Sequence, residues 1–204
     1  MKLGSVTASP APDVSFSPEN LAECRKTSDV SLIRYCENLV FQDSNFIQFL
    51  RFNGAMGLVN STDSGRKLLN DIETLLQFKS EKLVVYLTSL ELGTAPHQVK
   101  DAENGCGTGA DLHCNFNSAE YRNGEGLSEK QFHATVLYHE LVHVLHCLRG
   151  ECIQDISADL AEGHIPSYKE AEEDRTIGIG AFTSEAISEN IFRAEIGVPL
   201  RNYR

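Results

Sequence analysis

A chain of 204 residues has room for one domain with a real core and too little for two. Its composition, 41% apolar and 23% charged, is that of a globular protein in water, and no run approaches the ~18 consecutive apolar residues that a membrane span needs. The formal charge of -11 argues against nucleic acid as a partner, because an acidic surface repels phosphates, and suits a neutral or basic protein segment better.

The first twenty residues hold Ser5, Thr7, Ser9, Pro10, Pro12, Ser15, Ser17 and Pro18, with no continuous apolar stretch of the secretory kind. Such a segment buries too little to offset its ordering entropy and is expected to be flexible. It reads either as a plain tail or as an export leader of the type III secretion kind. Domain organisation follows: a flexible export leader and lead-in segment over 1–50, and one folded domain over 51–204. Cys24, Cys36, Cys106, Cys114, Cys147 and Cys152 form no CxxC and no tight framework, so free thiols in a reducing compartment are expected.

The first helix is predicted over 63–78, where Leu68, Leu69, Ile72, Leu75 and Leu76 share one face and Asp63 or Ser64 can cap the start. Residues 82–88 form a β-branched and aromatic run that reads as a buried strand. The glycine-rich stretch 93–109 is expected to be a loop. Over 111–116, Leu112, Cys114 and Phe116 alternate with polar residues, which marks a strand with one covered face. Asn123-Gly124-Glu125-Gly126 signals a turn.

A helix of some twenty residues then begins at Ser128, which forms a capping box with Gln131, and ends at Gly150. Leu137, Leu141, Val144, Leu145 and Leu148 make its core stripe, while His139, His143 and His146 lie on a second face. A last helix is predicted over 184–195, closed by Gly197 and Pro199.

His139-Glu140-Leu141-Val142-His143 is HExxH on that long helix. Histidines four apart lie about 40° apart around a helix and one turn along it, so both imidazoles reach one ion. Zinc suits neutral imidazole nitrogens, and Glu140, about 100° aside, is placed to take a proton from a water rather than to ligate. A chance HExxH is expected only about two times in a hundred in such a chain, so a metal site outweighs two ordinary histidines. His146, about 10 Å along the helix from His139, fits a cleft wall or a supporting role better than a ligand. The metzincin pattern asks for Gly and His where His146 and Arg149 stand, and is excluded. The third ligand must come from later acids: Asp155, Asp159, Glu162, Glu170, Glu172, Glu173 or Asp174. Glu172 and Glu173 lie 29 and 30 residues after His143, a gluzincin-like spacing, although a solvated helix start or loop explains them equally well.

Several pieces together resemble the NleD-like effector metalloproteases delivered by type III secretion, with relatives among Hop-type plant-pathogen effectors and toxin domains. They are Ser64-Gly65-Arg66-Lys67-Leu68-Leu69, the HExxH motif, Glu172-Glu173 with Thr176-Ile177-Gly178, and the tail from Glu189 through Arg193 and Glu195 to Arg201 and Tyr203. The resemblance covers about residue 60 onward. It implies a single zincin-like α+β domain, with a small sheet packed on the active helix and the 111–116 strand bordering the substrate cleft. It implies Zn2+ on His139, His143 and one of Glu172 or Glu173, without saying which. It implies a zinc endopeptidase acting on a host protein in the host cytosol, with a protein kinase as candidate target, since the family cuts mitogen-activated protein kinases.

Implied partners are that host protein and a secretion chaperone, with no nucleic acid, no membrane and a monomeric chain. Tyr203, with Arg201 beside it, is placed in the tail to donate a hydrogen bond to the anionic intermediate, or else only to pack it. Arg193 and Glu195 read as structural ion-pair partners on the last helix. The rival readings are a structural zinc module, with Cys147 as a further ligand and an acidic partner surface, and a metal hydrolase of a non-peptide substrate.

Overall fold

The computed structural model describes residues 38–42, 46–87, 92–116, 126–153 and 168–203. In chain order the elements are β1 (Leu39–Gln42), α1 (Phe46–Ser61), α2 (Asp63–Lys79), β2 (Leu83–Tyr86), β3 (Gly93–Pro96), α3 (Val99–Glu103), β4 (Ala110–His113), α4 (Glu129–Arg149), α5 (Tyr168–Ile177), a 3-10 turn (Gly180–Phe182) and α6 (Glu189–Glu195). The fold is α+β, as expected, with helices gathered against one small mixed sheet.

The sheet order is β1-β2-β4-β3. β1, β2 and β4 run parallel, with Leu39 opposite Leu83 and Leu83 opposite Ala110. β3 pairs antiparallel to β4, with Thr94 opposite Leu112 and Pro96 opposite Ala110. The alternation of strand side chains sends Leu83, Val85, Ala110 and Leu112 into the core, while the rings of Tyr86 and His113 stack 4.7 Å apart on the other face.

The long helix forms where its caps place it. Ser128 and Gln131 complete the capping box at the start of α4, and Gly150 closes its end with φ 72, a left-handed conformation that glycine adopts freely. Expected to be covered on one stripe, α4 is instead buried on nearly every face, 15 of its 21 residues. Apolar side chains of α1 and α2 wrap it, among them Phe52, Val59, Leu68 and Leu76. The glycine-rich segment closes against its end. Gly105 N–H donates to the Gly150 carbonyl at 2.9 Å, and Thr108 N–H to the Cys147 carbonyl at 2.9 Å. Gly107 lies so close that a Cβ would stand 1.9 Å from the Leu148 oxygen.

Several sequence expectations need correction. The stretch 93–109 is not one loop, because β4 supplies a ladder on which Gly93–Pro96 forms a strand, and α3 follows. The 111–116 strand runs over Ala110–His113 and lies inside the sheet, between β2 and β3; among the described residues the edge strands are β1 and β3. The cap of α2 is Thr62, whose Oγ1 accepts from Gly65 N–H at 3.0 Å; Ser64 gives its N–H and hydroxyl to Glu195 instead. The last helix begins at Glu189 rather than 184, because Ser188 stays extended with its side chain packed over Gly178.

β1 and the opening of α1 stand ahead of residue 51, where the domain was expected to start, and both contribute to the core through Phe41 and Phe49. The amino-terminal tail, Cys24, Cys36, Asp155, Asp159, Glu162 and residues 123–125 of the expected turn lie outside the described residues. Cys106, Cys114, Cys147 and Cys152 are free thiols.

Candidate metal centre

Four elements meet at one turn of α4. The helix presents His139 and His143 one turn apart, α5 crosses it carrying Glu172, Glu173 and Thr176, α6 brings Glu189 and β3 brings Thr94. α5 is held there by Ile177 and Thr176, both fully buried. The short apolar run after the paired acids thus docks that helix on the site.

The two imidazole Nε2 atoms lie 3.2 Å apart. The Glu173 carboxylate straddles them, one oxygen 3.1 Å from His139 Nε2 and the other 3.5 Å from His143 Nε2. Each ring's other nitrogen faces a carboxylate. His139 Nδ1 is 2.7 Å from Glu189 Oε2, and His143 Nδ1 is 3.3 Å from both Glu172 Oε1 and Thr176 Oγ1. An ionised carboxylate only accepts, so each Nδ1 carries a proton and donates it to the carboxylate behind; a metal at the Nε2 atoms would replace any proton held there.

His139, His143 and Glu173 form one group able to hold a metal ion; His143, His146 and Glu172 form another. Distances separate them. Two ligand atoms bound at ~2.0–2.1 Å to one tetrahedral ion stand about 3.3 Å apart. In the first group the two Nε2 atoms are 3.2 Å apart and each faces its own Glu173 oxygen, at 3.1 and 3.5 Å. In the second, His146 Nδ1 and Glu172 Oε1 are 2.5 Å apart, a charge-assisted hydrogen bond rather than an edge of a coordination shell. Glu172 is tied on its other oxygen as well, by Ile153 N–H at 3.0 Å.

The electrostatics agree with a cation site. Burial disfavours the His143 imidazolium, but the carboxylates of Glu172 and Glu173 outweigh it and hold its pKa up at about 10. His139 is raised too: burial opposes, and Glu173 and Glu189 prevail. Burial pushes Glu172, Glu173 and Glu189 upward, yet the histidines carry all three well below the usual carboxylate range. Burial lowers His146 despite Glu172.

Glu140 is buried one residue along from His139, and its Oε2 accepts from the Thr94 hydroxyl at 2.9 Å. Tyr203 is 58% exposed, with the Arg201 guanidinium 5.9 Å from its ring centre. Arg201 donates to the Tyr203 carbonyl at 2.9 Å and to Glu189 at 3.3 Å, which ties this segment to the group behind His139. Arg193 pairs with Glu189 on its own helix, as an ion-pair residue should, whereas Glu195 bonds Ser64 across to α2.

The sequence model of the peptidase M91 family, described as effector protein, matches residues 50–203. The chain belongs to the peptidase M91 family. No curated protein matches it. M91 peptidases are metallopeptidase effectors, so this chain is a peptidase of the effector class, and an effector of this kind acts on a host protein. Its donor set of two imidazoles and carboxylates fits the metal that the family implies. No helix described in this M91 peptidase is long and apolar enough to cross a membrane.

Sequence reasoning brought His139, His143, Glu140 and the Glu172-Glu173 pair together. It gave no role at the site to Glu189, Thr94 or Thr176. The signal for Glu189 was its place in the tail that resembles the family; Thr94 carried none, being one threonine in a stretch read as loop.

Proposed function

We propose that the chain is a zinc-dependent endopeptidase, with the ion on His139 Nε2, His143 Nε2 and Glu173 and with Glu140 as general base. The observation that carries this reading is the pair of Nε2 atoms 3.2 Å apart, close to the tetrahedral value, with the Glu173 carboxylate facing both, one oxygen 3.1 Å from His139 Nε2 and the other 3.5 Å from His143 Nε2. When bound, zinc supplies the Lewis acidity that brings water ionisation near neutral pH and polarises a peptide carbonyl. Glu172 then acts from behind, fixing His143 and His146. Glu140 Oε1, the oxygen that Thr94 leaves free, takes the proton and returns it to the departing amine. Tyr203, on the segment that Arg201 ties to Glu189, is the donor to the anionic intermediate. Among the described residues β3 has a strand partner on one side only, so an extended substrate segment has a strand edge beside Glu140 to lie against.

The substrate is a host signalling protein, with a protein kinase first in line on the strength of the family resemblance, and the site of action is the host cytosol. The zinc-dependent hydrolase of a non-peptide bond loses ground to the family's peptidase character. The structural-zinc module is the weaker reading: Cys147 faces Cys152, at 3.5 Å between sulfurs, and among the described residues belongs to neither group able to hold a metal. The test is incubation of the chain and of Glu140→Ala with host-cell lysate, read by amino-terminal mass spectrometry. New cleavage sites only with the unaltered chain are expected. Identical fragment patterns, with stoichiometric zinc in both, would refute the peptidase mechanism.

A further inference from the structure

We infer that Thr94 is a positioning residue for the general base, latching the edge strand to Glu140 and selecting which carboxylate oxygen takes the proton. The inference rests on the function proposed above and adds a residue to it. In β3, Thr94 stands opposite Leu112 and Ala95 opposite Asp111. Cross-strand partners share a face, and Leu112 is fully buried, so Thr94 is a polar residue at an inward position of an edge strand. An inward polar side chain needs a partner, and here the partner is the base itself.

The Thr94 hydroxyl lies 2.9 Å from Glu140 Oε2 and 3.1 Å from the Glu140 main-chain oxygen. The hydroxyl has one proton, and the two acceptors share it: the shorter contact, to the charged carboxylate, takes the larger part and the main-chain oxygen the smaller. Oε2 then has its donor, and Oε1 is the oxygen left to accept a proton. A flexible glutamate loses rotamer freedom in being held this way, and that ordering is complete before substrate arrives. Because Thr94 sits in β3, whatever lies along that strand edge is set in register with the base.

Valine matches threonine in shape and lacks the hydroxyl, and serine keeps the hydroxyl without the methyl. The experiment compares Thr94→Val, Thr94→Ala and Thr94→Ser with the unaltered chain. The substrate is a peptide spanning the site found in the lysate experiment, and zinc affinity is measured by competition with a chromogenic chelator. Thr94→Val and Thr94→Ala are expected to lose about 10- to 100-fold in kcat, the equivalent of a hydrogen bond to a charged group, with KM and the zinc Kd within about threefold. Thr94→Ser is expected to recover kcat to within about threefold. An unchanged kcat in the two hydroxyl-free variants overturns the inference. So does a Thr94→Ser variant as impaired as Thr94→Val, which makes the role one of methyl packing, or a weakened zinc Kd in the hydroxyl-free pair. Glu140→Ala separates the levels: if it retains the unaltered chain's activity, the function proposed above fails, whereas its inactivity beside a fully active Thr94→Val removes only Thr94.

Discussion

Replacing Glu189 by Gln tests whether a buried carboxylate behind His139 sets the strength of the metal site. Glu189 is 1% exposed and lies 2.7 Å from His139 Nδ1, with Arg193 Nε at 2.5 Å and Arg201 Nη1 at 3.3 Å on the same carboxylate. The amide keeps the shape and an acceptor for Nδ1–H but loses the charge that makes the imidazole a better donor. Loss of such a supporting group weakens metal binding by about 10- to 100-fold, or about 1.4–2.7 kcal/mol. The same change leaves Arg193, itself 4% exposed, beside a neutral partner. Breaking a buried pair from one side costs about 3–5 kcal/mol, here lessened by the Arg193 bond to the Pro199 carbonyl at 2.9 Å.

Two assays keep these effects apart. Chelator competition gives the zinc Kd, and thermal unfolding in excess chelator gives the metal-free stability. Removing both charges, in Glu189→Leu with Arg193→Leu, is expected to recover stability relative to Glu189→Leu alone while leaving zinc binding weak, because only the stability defect comes from the guanidinium that has lost its carboxylate. A folded Glu189→Gln protein that binds zinc within twofold of the unaltered chain would refute the reasoning.

The two adjacent glutamates should separate. Glu173→Ala is expected to weaken zinc binding by at least an order of magnitude more than Glu172→Ala, which should fall in the 10- to 100-fold range of a supporting group; chelator competition on both reads the difference. Zinc binding should also tighten as pH rises. With burial outweighed by Glu172 and Glu173, the metal-free His143 holds its proton up to about 10, and zinc must displace it, so the affinity should climb about tenfold per pH unit between pH 6 and 9 for each proton released. Without metal the sign of the stability effect reverses: the raised His143 contributes fully below its unfolded pKa of about 6.5, and that contribution is lost as pH rises towards 10. Finally, Gly107→Ala should lower the unfolding free energy by at least about 1–3 kcal/mol in a denaturant titration, since φ is 72° there and a Cβ would stand 1.9 Å from the Leu148 oxygen.

What could be read from the chain was whatever local chemistry decides. The capping box at Ser128, the stop at Gly150 and the apolar face of α2 each act within a few residues of where they are written, and each formed where expected. The proposed metal pair is equally local, since helical geometry alone brings His139 and His143 together. α1 escaped notice because it lacks a clean stripe: Phe49, Phe52, Met56 and Val59 are buried while Ile47 and Leu50, equally apolar, stay half exposed. Apolar on more than one face, with Gly54 and Gly57 within it, the segment shows little helical period. β3 escaped because Gly93 and Pro96 disfavour strands, and only the pairing with β4 makes it one. Glu189 meets His139 across fifty positions of sequence, and no local rule reports such a meeting.

α4 is at once the middle of the core and the frame for the ligands, with Leu141, Val142 and Val144 buried between and beside His139 and His143. A metal held there grips the folded chain and has no comparable hold on the unfolded one, so its affinity adds directly to stability: about 4.1 kcal/mol when the free ion stands at a thousand times its Kd. That is comparable to the whole stability of many domains. On the proposed function, metal supply would govern more than turnover: it would decide how readily the chain can be opened out, and a compartment starved of the ion is where it would be easiest to unfold.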